Sequence, residues 1–167
     1  MSANYAITAH LDNGMYVLSD AKRPLRASSE ESRVKIEAIE KELITLPQVD
    51  LPLEHFFAKG IYVRKIFMPK GTVATGRIHK HSGITVMLSG DLSILTEDGM
   101  KRITGPCVYE HKAGVKRALY MHEDSVVLTI HGTDKTDMSD LREELTAETN
   151  DEYISFVRAQ LSIGEES

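Results

Sequence analysis

Hydrophobic positions change their period twice along the chain. Residues 1–27 show little periodicity; Tyr16, Val17 and Leu18 form one short run of β character. The rest of that stretch reads as an arm, packed locally or reaching a neighbouring subunit. A helical stripe of Val34, Ile36, Ile39, Leu43 and Ile44 follows. Ser28 and Glu31 have capping-box spacing at its start, and Pro47 breaks it. Residues 47–59 read as a linking loop anchored by Leu51, Leu53, Phe56 and Phe57. The texture then becomes short β-rich runs at 61–68, 73–81, 84–88, 92–96, 101–104, 107–110, 115–121 and 125–131. Turn signals such as Pro69-Lys70-Gly71, Glu97-Asp98-Gly99 and Lys112-Ala113-Gly114 separate them. Closely spaced strands with no helix between them predict a sandwich or small barrel of the jelly-roll kind. Helical spacing returns in the tail. Asp137 or Ser139 caps a segment carrying Leu141 and Leu145, and Thr149 with Glu152 caps one carrying Tyr153, Ile154, Val157 and Leu161.

Composition changes this picture in two respects. Cys107 is the only cysteine, so no intrachain disulfide forms and a reducing, cytosolic setting is expected. Residues 1–10 have neither a basic nor an apolar run, so no secretory signal is expected, and no apolar run is long enough for a bilayer span. The net charge of −5 is unevenly spread. Residues 60–122 carry ten Lys/Arg against four Asp/Glu, whereas residues 123–167 carry three against twelve. A basic centre in an acidic protein suits an anionic small molecule better than nucleic acid, whose partners present a basic face overall. The same asymmetry also fits acidic tail helices that neutralise the barrel's outer surface.

The candidate chemistry lies in Gly76-Arg77-Ile78-His79-Lys80-His81. Side chains alternate along a strand, so an extended segment would send Arg77, His79 and His81 to one face. Two imidazoles on an inner face begin a transition-metal site, which needs three or four ligands, or else line a ligand pocket. His55, His111, His122 and His131 are the remaining candidates for a third ligand near that face.

The run of short strands, the Pro69-Lys70-Gly71 turn, the two-histidine segment ending at Gly90 and the Lys112-Ala113-Gly114 turn together resemble the cupin domain. More narrowly, Leu53-Glu54-His55-Phe56-Phe57, Ile78-His79-Lys80 and His122-Glu123-Asp124 resemble small cupin-like proteins of tailed bacteriophages and prophages. The resemblance covers roughly residues 53–133. It implies a mainly β fold, a cupin-type jelly-roll β-barrel flanked by an N-terminal helix and C-terminal helices. The expected division is an arm and helix over 1–59, a barrel over 60–133 and a helical tail over 134–167. The family's first motif supplies two histidines and a glutamate, and its second a third histidine. His79 and His81 match the pair; Thr85 is the nearest polar residue to the missing glutamate, and Lys116-Arg117 stand where the third histidine would be.

Two functions follow. In the first, Arg77, His79, His81, Thr85 and Arg117 line a lumen that holds an anion, such as a nucleotide or sugar phosphate, because arginine presents a planar donor fork to phosphate or carboxylate. The alternative for Arg77 is a rim position paired with Glu110 or Asp91. In a phage setting, such a binder would sequester a host signal in the host cytoplasm. In the second, His79, His81 and His122 hold iron, zinc, manganese or nickel in a dioxygenase, isomerase or lyase. The resemblance also implies a homodimer or larger homo-oligomer and no membrane partner.

Overall fold

The computed structural model describes residues 6–10 and 26–165; the strand expected around Tyr16 lies outside them. In chain order the elements are β1 (Ala6–His10), α1 (Glu30–Leu43), β2 (Leu53–Ala58), β3 (Ile61–Met68), β4 (Thr72–Gly76), β5 (Ile78–His79) and β6 (Gly83–Thr96). They continue with β7 (Gly99–Thr104), β8 (Cys107–His111), β9 (Ala118–Gly132), α2 (Met138–Leu145), β10 (Thr146–Ala147) and α3 (Asn150–Glu165).

Two long antiparallel strands organise the roll, because each half of β6 and β9 has different neighbours. The second half of β9 pairs with β3, which pairs with β2, while the first half of β6 pairs with β8. That layer therefore reads β2-β3-β9-β6-β8. The first half of β9 pairs with β4, which pairs with β1, and the second half of β6 pairs with β7. The second layer reads β1-β4-β9-β6-β7. Among the described residues each of β1, β2, β7 and β8 has one neighbour, so the roll they form is open at its edges. Ile66, Met68, Ala74, Met87, Leu92, Ile94, Met121 and Val127 fill the space between the layers.

The pattern of turns placed most strands and misread three joints. Residues 84–88 and 92–96, expected as two strands, are the single strand β6, whose register against β9 shifts around Ser89–Asp91. Gly90 makes this possible. Its φ is +108°, and a Cβ there would lie 2.6 Å from Ser125 Cα. Only glycine gives a strand that bend at that close an approach. The runs expected at 115–121 and 125–131 likewise merge into β9, and the linking loop contains β2.

The helices lie outside the roll and pin one strap. Ser29, one residue beyond the expected cap, accepts the Ser32 N–H at 3.1 Å, while Ser28 is buried and bonds both the N–H and C=O of Lys116. α1 buries Ile36 and Leu43, together with Arg33, whose Nε donates to Asn150 Oδ1 at the start of α3 (2.7 Å). Asp137 caps α2, which packs Leu141 and Leu145 onto Tyr62. No helix among the described residues is long and apolar enough to cross a membrane.

Candidate metal centre and cavity

The register of the first layer sorts its inner face into rows of different chemistry. Leu53, Ile66, Val127, Met87 and Cys107 are successive cross-strand partners and form an apolar row. Two residues along each strand, the partners are His55, Arg64, Thr129, Thr85 and Tyr109, a polar row. Two residues further, Phe57 pairs with Tyr62, Tyr62 with His131, and Gly83 with His111. The period of two carries each strand's side chains to the same face, so the rows run from core to rim.

His79 closes the rim from the other side. Its N–H donates to Val115 O (3.0 Å), its carbonyl accepts from Gly114 N–H (2.8 Å), and the next N–H, of Lys80, donates to Leu145 O (2.9 Å). Pairing of β5 with β10 completes the strap. The ring of His79 therefore sits 4.2 Å from that of His111 and 5.5 Å from that of His131, centroid to centroid, and the latter two are 5.1 Å apart. One ring nitrogen from each of the three lies within 4.8 Å of the others.

All three imidazoles are held neutral. Burial is the main cause for each, pushing His111 down to about 4 and His131 to about 3, with His79 well below its usual value. The Arg64 charge adds to the effect on all three. Neutral imidazole is the metal-binding form. His79 Nδ1, His111 Nε2 and His131 Nδ1 are buried with no hydrogen-bond partner among the described residues. A buried polar atom without a partner costs about 1–3 kcal/mol, so three in one place call for a common occupant. On the far side of the ring, His111 Nδ1 lies 3.0 Å from Thr85 Oγ1. A proton on Nδ1 donated to that hydroxyl leaves the Nε2 lone pair free, the orientation a second partner gives a metal-bound histidine.

His79 and His111 also line a cavity of about 110 Å³ between the layers. Its walls are mainly apolar, including Ile66, Met68, Ile94, Leu119 and Val127. The polar groups are Thr75, Thr85, Tyr109 and Thr129, with Arg64, Arg77 and Arg117; no Asp or Glu lines it among the described residues. Burial pushes the Tyr109 hydroxyl up to about 12, so it remains a neutral donor.

The structure therefore redistributes the residues singled out from sequence. His79, Thr85 and Arg117 line the cavity. His81 does not join His79. The extended segment ends at His79, Lys80 and His81 form a bend, and His81 is exposed with its ring edge against Phe156 at 5.5 Å. His122 lies in the other half of β9, with Nε2 2.7 Å from Ser93 Oγ, outside the three-imidazole cluster. Arg77 contributes to the cavity wall, but its guanidinium turns away, donating to Thr146 Oγ1 (2.8 Å) and Glu148 Oε2 (3.0 Å). The alternative partners for Arg77 are themselves engaged, Asp91 by Arg102 and Glu110 by Lys112. The second and third imidazoles come instead from His111 and His131. The available signal was the alternation in Tyr109-x-His111 and Thr129-x-His131, each ending a β-rich run.

The sequence matches no family model and no curated relative. Solved structures similar in fold include a cupin domain from Bordetella pertussis (17% identity, 53% of this chain and 98% of that one, TM-score 0.43). They also include an RmlC-like cupin from Shewanella frigidimarina (16% identity, 52% and 79%, TM-score 0.44). The chain's own two-layer strand order makes the fold a jelly roll. A candidate acetylacetone dioxygenase from Methylibium petroleiphilum is a further neighbour (14% identity, 48% of this chain, TM-score 0.40), and the chain spans 59% of its length. At these identities the likeness lies in the fold, and the site is argued from its own residues.

Gly83 provides a test of the site's packing. It faces His111 across the strand pair, and a Cβ there would lie 2.6 Å from both His111 Nε2 and the Ile130 carbonyl oxygen. The ring cannot relieve the contact with the ladder oxygen, so both the strand backbone and the ring must shift. Gly83→Ala is expected to cost about 1–3 kcal/mol in urea denaturation. It should also lower zinc affinity at least roughly tenfold through displacement of the ring.

Proposed function

We propose that this jelly-roll protein holds a divalent transition metal on His79, His111 and His131 and binds a small anionic, oxygen-bearing molecule in the adjoining cavity. The observation that carries this reading is the meeting of three buried, neutral imidazoles, each with a ring nitrogen that has no partner among the described residues, two of them lining one cavity. Three protein ligands with room beside them is the pattern of a reactive centre, whereas structural zinc is enclosed by four. A bound divalent ion would supply Lewis-acid polarisation of an oxygen ligand. The protein's part is distinct. Thr85 sets the tautomer of His111, the strap holds His79, and the apolar walls exclude water. Three neutral imidazoles leave the ion's full positive charge uncompensated, and no carboxylate lines the cavity, so an anionic ligand is favoured. The cavity of about 110 Å³ is partly open and suits a ligand of benzene's size or smaller, since a closed cavity of ~150 Å³ takes benzene. A nucleotide exceeds this volume.

A metal-free anion binder is the second reading, favoured by the cavity's arginines and absent acids. Elemental analysis of untagged protein separates the two. Wild type is expected to take up about one first-row divalent ion per chain. His79→Ala, His111→Ala and His131→Ala should each lose at least roughly tenfold in affinity, whereas His81→Ala and His122→Ala should not. Failure of wild type to bind zinc, iron, manganese or nickel at micromolar concentration would leave only the anion binder. Loss of metal confined to the His81 and His122 variants would overturn the assignment.

A further inference from the structure

Arg117 is a cation with part of its donor set unspent. Its Nη1 donates to Ser28 Oγ (2.8 Å) and Lys116 O (3.4 Å), and its Nη2 to Arg26 O. A guanidinium has five N–H donors, so these bonds use three. Its Nε is buried with no partner among the described residues. Burial is the main influence on Arg117, and Glu97, its principal opposite charge, is occupied by the Ser29 N–H at 2.9 Å. The side chain lines the same cavity as His79 and His111. Thr129, which also lines that cavity, has a buried Oγ1 with no partner among the described residues.

The cavity thus presents partnerless polar atoms of two kinds, with aliphatic walls around them. Arg117 Nε–H and Thr129 O–H can donate, whereas His79 Nδ1 and His111 Nε2 suit a metal. A donor fork and a hydroxyl suit a carboxylate, and the metal centre suits a second oxygen on the same molecule. We infer that the ligand is a short aliphatic carboxylate carrying a further oxygen function, a 2-oxo or hydroxy acid, with its carboxylate on Arg117 and Thr129. This deepens the proposed function, because the placement of the second oxygen rests on the metal reading while the carboxylate site does not.

The probes are 2-oxobutyrate and its neutral isostere 2-oxobutyramide, titrated by calorimetry into zinc-loaded and metal-free protein. Wild type is expected to bind the carboxylate at least roughly tenfold more tightly than the amide in both forms. Arg117→Gln should bring the ratio near one with zinc content unchanged. Because Arg117 also anchors the segment around Ser28, Thr129→Val serves as the second variant; it keeps the side-chain shape and should reduce the ratio severalfold. Equal binding of the two probes by wild type, or an unchanged ratio in Arg117→Gln, overturns the inference even if zinc loads normally. Carboxylate preference in protein that loads no metal would sustain the Arg117 site and remove the metal reading instead.

Discussion

Acidification from pH 7.5 to 4.5 is expected to cost the metal-free protein about 3–6 kcal/mol of stability through its histidine cluster. In the unfolded chain the three imidazoles titrate near the ordinary 6.5. In the folded protein His111 resists protonation until about pH 4 and His131 until about pH 3, with His79 also well depressed. Between those values the unfolded state binds protons that the folded state refuses. Stability therefore rises with pH across the window and is lost as pH falls from 6.5. The folded state cannot accept the protons cheaply, because the rings lie 4–6 Å apart and face the Arg64 charge. The depressed carboxylates Asp91, Glu97 and Asp137 add their own loss lower down, so the histidine contribution is read above pH 4.5. Total stabilities of about 5–15 kcal/mol are usual, so a chain at the low end of that range unfolds close to the lower end of the window. Urea denaturation at steps of half a pH unit checks this. His131→Phe, which keeps a ring against Tyr62, should give a shallower slope. Saturating zinc should raise the whole curve with little change of slope above pH 4.5, because the folded nitrogens are already proton-free there; protons and metal compete for them only nearer pH 4. A profile flat from pH 7.5 to 4.5, or one rising toward acid, would contradict the neutral cluster.

The outline of the roll was readable in the chain because alternation and turn residues are local properties. Pro69-Lys70-Gly71 and Glu97-Asp98-Gly99 separate the strands they were expected to separate. Ser89-Gly90-Asp91 has the same appearance, yet β6 passes straight through it. The difference is the approach of Ser125 on β9, which sequence spacing does not reveal. The site shows the same division. The inward side of His79 was readable; the bend that removes His81 was not, because the Lys80 N–H is taken by Leu145 O from the C-terminal segment. His111 and His131 lie on strands where the period of two applies, in step with Tyr109 and Thr129. What brings them together is cross-strand register, Gly83 opposite His111 and Tyr62 opposite His131, a relation between distant segments.

Loss of the Glu40 carboxylate is the second large effect, at about 3–5 kcal/mol. Glu40 lies on α1, 2.7 Å from Lys116 Nζ, and the lysine side chain is 1% exposed. The same Nζ donates to Gly76 O at 3.1 Å, so the pair ties the outer helix to the chain between β4 and β5. Glu40→Leu leaves that ammonium in the interior with one carbonyl for company. Breaking a buried pair by removing one member costs far more than replacing both, because the survivor is uncompensated. Glu40→Leu combined with Lys116→Met should therefore recover most of the loss, a non-additivity that a double-mutant cycle measures. The damage should also reach the metal centre. Lys116 sits between Val115, whose carbonyl takes the His79 N–H, and Arg117, whose carbonyl takes the Gly76 N–H at 3.2 Å. Shifting Lys116 toward water would drag both bonds and loosen the strap that aims His79. Zinc affinity in Glu40→Leu is thus expected to fall together with stability and to return in the double variant. A single variant that loses less than about 1 kcal/mol would show that Lys116 reaches solvent when unpaired, and α1 would then have no hold on the site.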